Sequence, residues 1–258
     1  MKLAVVVVLS LLSGITNAQQ PGYGGKVVES HGAIITGDEG RKNIALVFTG
    51  DEYADGGTVI AEVLRKNNVK ASFFFTGRFY RNPAFRALVM QLKRDGNYLG
   101  SHSDKHLLYC DWKKRDSLLV TEEQFKSDLK RSYQAMAAFG IKKQDAPFFL
   151  PPYEWFNSTI AKWTKEEGLT LINFSPGTRS TADYTVPDMG KSYVSSEVIY
   201  NSVISFEEKD LHGLNGFILL FHVGADGKRT DKFYNYLDKL LSALKEKGYK
   251  FVKPDGLF

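Results

Sequence analysis

The chain has 258 residues, with 34 basic against 29 acidic side chains and a net charge of +5. That excess is mild and spread without a block of like charge, which argues against nucleic acid as a partner. A single cysteine, Cys110, excludes an internal disulfide, so the core must be held by burial alone.

Residues 1–18 read as a secretory signal: Lys2 is the positive end, Leu3 to Leu12 the apolar core, and Thr16-Asn17-Ala18 the small-residue exit. The apolar core is too short for a permanent span, and no later stretch resembles one, so stable membrane insertion is not expected. The expected location is secreted or periplasmic. The remaining length suits one domain over residues 43–258, preceded by a leader and hairpin over 19–42, and carries no signal of oligomeric state. Val27 to Ile35 reads as a strand, and Gly37-Asp38-Glu39-Gly40 as the hairpin turn into a strand at 43–49.

From there strands and helices alternate. Helices are expected near 57–67, 83–94, 121–139, 157–167, 195–208 and 230–247. Pro83 opens the second, and Thr121 with Gln124 three residues later forms a capping-box pattern for the third. Strands are expected at 43–49, 70–75, 97–100, 147–150, 169–174, 216–222 and 249–252, most of them apolar on both faces. That pattern implies a parallel sheet covered by helices, and seven such strands suffice to close a distorted barrel.

Chemistry-bearing residues cluster at the ends of these strands, where parallel α/β folds place their sites. Asp51 and Glu52 follow the apolar run Ile44 to Phe48, His102 and His106 follow Tyr98-Leu99-Gly100, and His222 ends Phe217 to Phe221. One carboxylate and two imidazoles four residues apart match the ligand count of a catalytic divalent site, zinc above all, with a place left for water. Glu52, His102 and His106 are therefore the expected metal ligands. Asp51 is the expected base and His222 the expected acid. Thr36-Gly37-Asp38-Glu39 repeats the letters of Thr49-Gly50-Asp51-Glu52, but it falls in the expected hairpin turn and is read as a decoy.

Over roughly residues 43–253 the chain resembles the polysaccharide deacetylases of the NodB-homology type, carbohydrate esterase family 4. The resemblance implies a distorted (β/α)7 barrel with an N-terminal β-hairpin extension. It also implies a secreted metal-dependent hydrolase acting on an acetylated carbohydrate, with zinc, cobalt or nickel. Thr49-Gly50-Asp51-Glu52 stands for the first motif, with Asp51 as base and Glu52 as ligand. His102-Ser103-Asp104-Lys105-His106 is an intact second motif in which Ser103 would brace the loop. Leu150-Pro151-Pro152-Tyr153 stands for the third, whose Tyr153 N–H would hold the oxyanion. Leu219-Leu220-Phe221-His222 stands for the last.

Three departures stand out. Glu52 replaces aspartate and carries its carboxylate about 1.5 Å farther out. Leu150 replaces an arginine that would orient the base, for which Arg179 is the candidate substitute. The fourth motif is not recognisable, and Asp183 is the candidate for orienting His222. Tyr153, Trp155 and Phe156, with Trp112 in the loop after the histidine motif, are expected either to stack on sugar rings or to cap the barrel as packing. The departures also motivate an alternative: a carbohydrate-binding pseudoenzyme on the same barrel.

Overall fold

The structure, a computed structural model, describes residues 26–258; the signal and most of the leader lie outside the described residues. The first strands, β1 (Val28–Ser30) and β2 (Ala33–Thr36), form an antiparallel hairpin. Its turn is His31-Gly32, both at positive φ (51° and 82°), which suits a tight two-residue connection. The expected hairpin turn at 37–40 is thus corrected. Those residues link β2 to β3 (Asn43–Gly50), but β2 pairs with β8 (Phe217–His222) instead. Two glycine-containing turns stand close together here, and spacing alone could not choose between them.

All seven expected parallel strands form: β3, β4 (Ser72–Phe75), β5 (Tyr98–Ser101), β6 (Phe148–Phe149), β7 (Thr170–Leu171), β8 and β9 (Lys250–Val252). The sheet order is β1-β2-β8-β3-β4-β5-β6-β7, and β9 joins β3. A bridge between Ile34 and Ile172 brings the β7 end back to β2, curling the sheet into the distorted (β/α)7 barrel. The hairpin therefore acts as a stave rather than an appendage.

Helices α1 (Gly57–Lys66), α2 (Gly77–Arg81), α3 (Arg86–Arg94), α4 (Glu122–Ala137), α5 (Ser158–Glu166), α6 (Ser196–Lys209) and α7 (Leu237–Glu246) cover the outside. The capping box at α4 is real. Thr121 N–H donates to Gln124 Oε1 at 2.8 Å, and Gln124 N–H donates to Thr121 Oγ1 at 3.2 Å. Cys110 is fully buried, and that burial pushes its thiol pKa up. No helix among the described residues is long and apolar enough to cross a membrane.

Period-two alternation sorts each strand between two apolar layers. Ile44, Leu46, Phe48, Phe73, Phe75, Leu219 and Phe221 pack outward against the helices. Ala45, Val47, Phe74, Phe148, Leu150, Ile218 and Leu220 fill the barrel. The inward row of each strand decides what its carboxyl end presents. On β3 the row continues to Thr49 and Asp51, on β4 to Thr76, on β8 to His222. On β5 it runs through Gly100, a position where a Cβ would fall 2.6 Å from the Phe74 ring, to His102.

Candidate active site

A cavity of about 830 Å³ opens over these row ends, lined by Asp51, Glu52, Arg78, His102, His106, Tyr153, Glu154 and His222 among others. A larger groove of about 1190 Å³ along α4 contains none of the candidate residues.

His102 and His106 meet tip to tip, Nε2 to Nε2, at 3.2 Å. His102 Nδ1–H donates to Leu150 O at 2.9 Å, which leaves Nε2 with a free lone pair. The loop between them is tightly braced. Ser103 Oγ accepts from His106 N–H at 3.0 Å, and buried Asp128 accepts from the N–H groups of Asp104 (2.7 Å) and Lys105 (3.2 Å). Ser103 (φ 70°) and His106 (φ 56°) lie in the left-handed region, which non-glycine residues occupy only where surrounding structure enforces it. Burial holds the His102 pKa well below the ordinary histidine value, with the neighbouring His106 adding to the effect. Burial also lowers His106 to about 4, opposed by Asp51 and reinforced by Arg78. Both rings are therefore neutral at pH 7, as nitrogen ligands must be.

Glu52 does not join them. Its side chain is 63% exposed, and its ion-pair partner is Arg78 at 3.9 Å. Among the described residues no three His, Cys, Asp or Glu side chains are gathered as a formed metal site. The structure thus brings together the two histidines of the expected Glu52–His102–His106 triad and leaves Glu52 beside Arg78. Both carboxylates lie just past the end of β3 and line the same cavity, Asp51 held by Thr76 and Arg78 and Glu52 turned toward Arg78. Instead, Glu154 reaches the pair, its Oε1 lying 3.8 Å from His102 Nε2 with only 13% of its side chain exposed. Burial raises the Glu154 carboxyl to about 7, against the opposite pull of His222. The neutral imidazole pair has the donor chemistry that suits a borderline cation.

Asp51 is held on both oxygens. Thr76 Oγ1 donates to Oδ1 at 2.7 Å and Arg78 Nε donates to it at 3.1 Å, while Arg78 Nη2 pairs closely with Oδ2. Thr76 also caps α2 by accepting from Phe79 N–H at 3.1 Å. Arg78, not Arg179, thus faces the base. Arg179 is exposed on the loop after β7, with its N–H donating to Ser202 at 3.0 Å. The signal for Arg78 was available in register: Gly50 pairs with Phe75, so the residues just past each strand face one another.

Asp183 holds His222 from behind. Its Oδ1 lies 2.6 Å from Nδ1, and its Oδ2 accepts from the His222 N–H at 2.8 Å. Burial favours the neutral ring, but the charge and hydrogen bond of Asp183, with Glu154 beyond, outweigh it and raise the His222 pKa. A residue missed by sequence reading fixes this loop. Arg229 is fully buried and donates to Thr185 O (2.6 Å), Val194 O (3.0 Å) and Ser196 Oγ (3.2 Å).

Tyr153 (44% exposed) and Trp112 (55% exposed) border the cavity, with Tyr184 beside His222. Trp155 lies behind Trp112, with Arg115 3.7 Å above its ring, and Nε1–H donates to Asp111 O at 3.2 Å. It packs behind the rim rather than lining the cavity.

The profile of the family described as Polysaccharide deacetylase matches residues 36–172, and the chain belongs to that family. Among curated relatives, the peptidoglycan-N-acetylmuramic acid deacetylase PdaA of Bacillus subtilis is 27% identical over 247 residues, spanning 93% of this chain and 82% of PdaA. Two solved structures share the fold. A family 4 carbohydrate esterase pseudoenzyme from Bacillus anthracis superimposes with a TM-score of 0.67 at 20% identity, over 89% of this chain and 69% of its own. An acetyl xylan esterase from Clostridium thermocellum, solved with a cobalt ion, gives 0.62 at 21% identity over 84% and 90%.

Proposed function

We propose that this protein is a secreted or periplasmic metal-dependent deacetylase that hydrolyses N- or O-acetyl groups of a polysaccharide or oligosaccharide. The observation that carries the reading is the meeting of the His102 and His106 ring nitrogens in one cavity with Asp51 and His222. The peptidoglycan substrate named for PdaA makes an N-acetylated amino sugar the first choice. The signal-like pattern of residues 1–18 supports export.

A divalent cation held by His102 and His106 would acidify water and polarise the acetyl carbonyl. The protein's own groups divide the remaining work. Asp51, held by Thr76 and Arg78, takes the proton of the attacking water. The Tyr153 N–H faces the oxyanion of the tetrahedral intermediate. His222, whose pKa Asp183 raises, gives its proton to the departing amine or alcohol. Trp112 and Tyr153 offer aromatic faces to the sugar.

Acetate release from chitin oligomers, peptidoglycan fragments and acetylated xylan, with zinc, cobalt or nickel, tests the reading. Turnover should require both the metal and Asp51. Glu52 standing away from the histidines favours the alternative, a sugar-binding pseudoenzyme on the same barrel. Sugar binding with neither metal uptake nor acetate release would establish it instead.

A further inference from the structure

The loop between β7 and α6 has little regular structure of its own. From 176 to 195 its ordered pieces are two short 3₁₀ turns, Ser180–Tyr184 and Pro187–Ser192. It nevertheless brings Tyr184, Val186 and Met189 to the cavity and Asp183 to His222. Its course must therefore be set by what fastens it to the barrel.

One stretch of chain fastens it twice. At the end of β8, His222 is tied to Asp183 through both its ring and its backbone. Farther along the same stretch, the fully buried Arg229 spans the neck of the loop. Its Nη1 donates to Thr185 O at 2.6 Å and its Nη2 to Val194 O at 3.0 Å, while Val194 N–H donates across the neck to Thr185 Oγ1 at 3.2 Å.

Thr185 passes this constraint to Asp183. Its N–H (3.0 Å) and its Oγ1 (2.7 Å) both donate to Ala182 O, which fixes the peptide joining Ala182 to Asp183. At the other end, Arg229 Nη2 donates to Ser196 Oγ at 3.2 Å, and Ser196 N–H donates to Asp231 Oδ2 at 2.6 Å. A rigid guanidinium fork can hold two carbonyls in fixed relation, which a single ammonium cannot. Stability explains the arrangement poorly. The Asp231 carboxylate stands 3.8 Å from Nη2, and the buried Nε–H has no partner among the described residues. A buried charge so incompletely paired gains little over apolar packing.

We propose that Arg229 is a positioning residue for proton transfer: by holding Thr185 and Val194 it places Asp183, and through Asp183 the ring of His222. The proposal rests on reading His222 as the acid. Arg229 itself is buried and meets no substrate. With Nδ1 engaged by Asp183, Nε2 is the ring atom that faces the leaving group, and its direction follows from where the loop holds Asp183.

Two measurements on the purified full-length protein test this, with Arg229→Met, Arg229→Lys, Asp183→Asn and His222→Ala beside the wild type. The first compares an acetylated oligosaccharide with 4-nitrophenyl acetate, whose phenolate departs without needing a proton. Arg229→Met should lower kcat on the oligosaccharide about 10–100-fold with KM within about twofold, the mark of a misplaced catalytic group. On the aryl ester its kcat should stay within about threefold, because no acid is required there. Arg229→Lys should fall between, and it carries the comparison if Arg229→Met does not fold. The second measurement is the low-field proton NMR signal of His222 Nδ1–H. It should vanish in His222→Ala and Asp183→Asn, and shift or broaden in Arg229→Met while the methyl spectrum stays that of a folded protein. Equal losses on both substrates, or an unaltered His222 signal, would overturn the proposal. Equal losses on both in His222→Ala would remove the acid and Arg229's part with it. A wild type inactive on every oligosaccharide would sink the deacetylase reading instead, and the proton signal would then decide whether Arg229 places the ring.

Discussion

The tetrapeptide Thr-Gly-Asp-Glu occurs twice, at 36–39 and 49–52, and the two copies sit at opposite ends of the barrel. In the first, Thr36 pairs with Phe217 at the start of β8, and Asp38 accepts from Gly40 N–H at 2.9 Å and pairs with Arg41 at 2.9 Å. In the second, Thr49 pairs with His222 at the end of the same strand, and Asp51 is gripped by Thr76 and Arg78 inside a cavity. Identical letters thus make a surface turn at the amino ends of the strands and a candidate base at their carboxyl ends. Strand direction, not the motif, supplies the difference.

The largest expected effect breaks this comparison directly. Asp51→Asn should lower kcat for acetate release by roughly 10²–10⁴-fold, the usual share of a general base. Asp38→Asn should change it less than twofold. Equal losses in both would mean that position on the barrel carries no functional weight. His222→Ala should cost a loss of similar order, because the acid lies on the adjoining strand at the same level.

A smaller effect separates the two arginines considered for the base. Arg78→Met should reduce kcat/KM on the order of tenfold, because Asp51 loses the partner that holds its carboxylate in place. Arg179→Met should leave kcat/KM unchanged, its N–H being engaged with Ser202 away from Asp51. An unchanged kcat/KM in Arg78→Met would show that the ion pair does not position the base.

These contrasts also mark what one sequence can reveal. The alternation of apolar runs with capped helices was sufficient for the seven parallel strands, because strands buried on both faces have few other homes. His102 and His106 were legible because a four-residue spacing is local. The direction of Glu52 was not legible, because it lies just past the end of β3, where strand alternation no longer fixes a face. Arg78, Glu154 and Arg229 are tertiary facts. Each becomes relevant only when two segments meet, β3 with β4, β5 with the turn after β6, and the loop 180–194 with residue 229. Trp155 and Trp112 carry the same aromatic signal in sequence, and only the fold decides that Trp112 stands in front.

The subtlest expected effect concerns Asp183, which alters His222 rather than the reaction itself. The groups facing that ring are Asp183 at 2.6 Å, Glu154 beyond it and the edge of Tyr184 at 5.0 Å between centroids. Burial alone would lower the His222 pKa, so its net rise comes from the carboxylates, Asp183 first. A raised folded pKa means that the Asp183–His222 pair contributes its full stability below the unfolded value of about 6.5 and loses it as pH climbs through the folded value. Asp183→Asn should therefore lower Tm most near pH 5.5, and the gap from wild type should narrow above pH 8. Activity should follow the opposite trend. The variant's acid form runs out earlier, so its alkaline limb moves to lower pH, with a loss on the order of tenfold at pH 8.5 and less at pH 6. Thermal melts and kcat/KM profiles on the same preparation separate the two. A stability gap that does not change with pH would mean that Asp183 holds the loop without holding the proton.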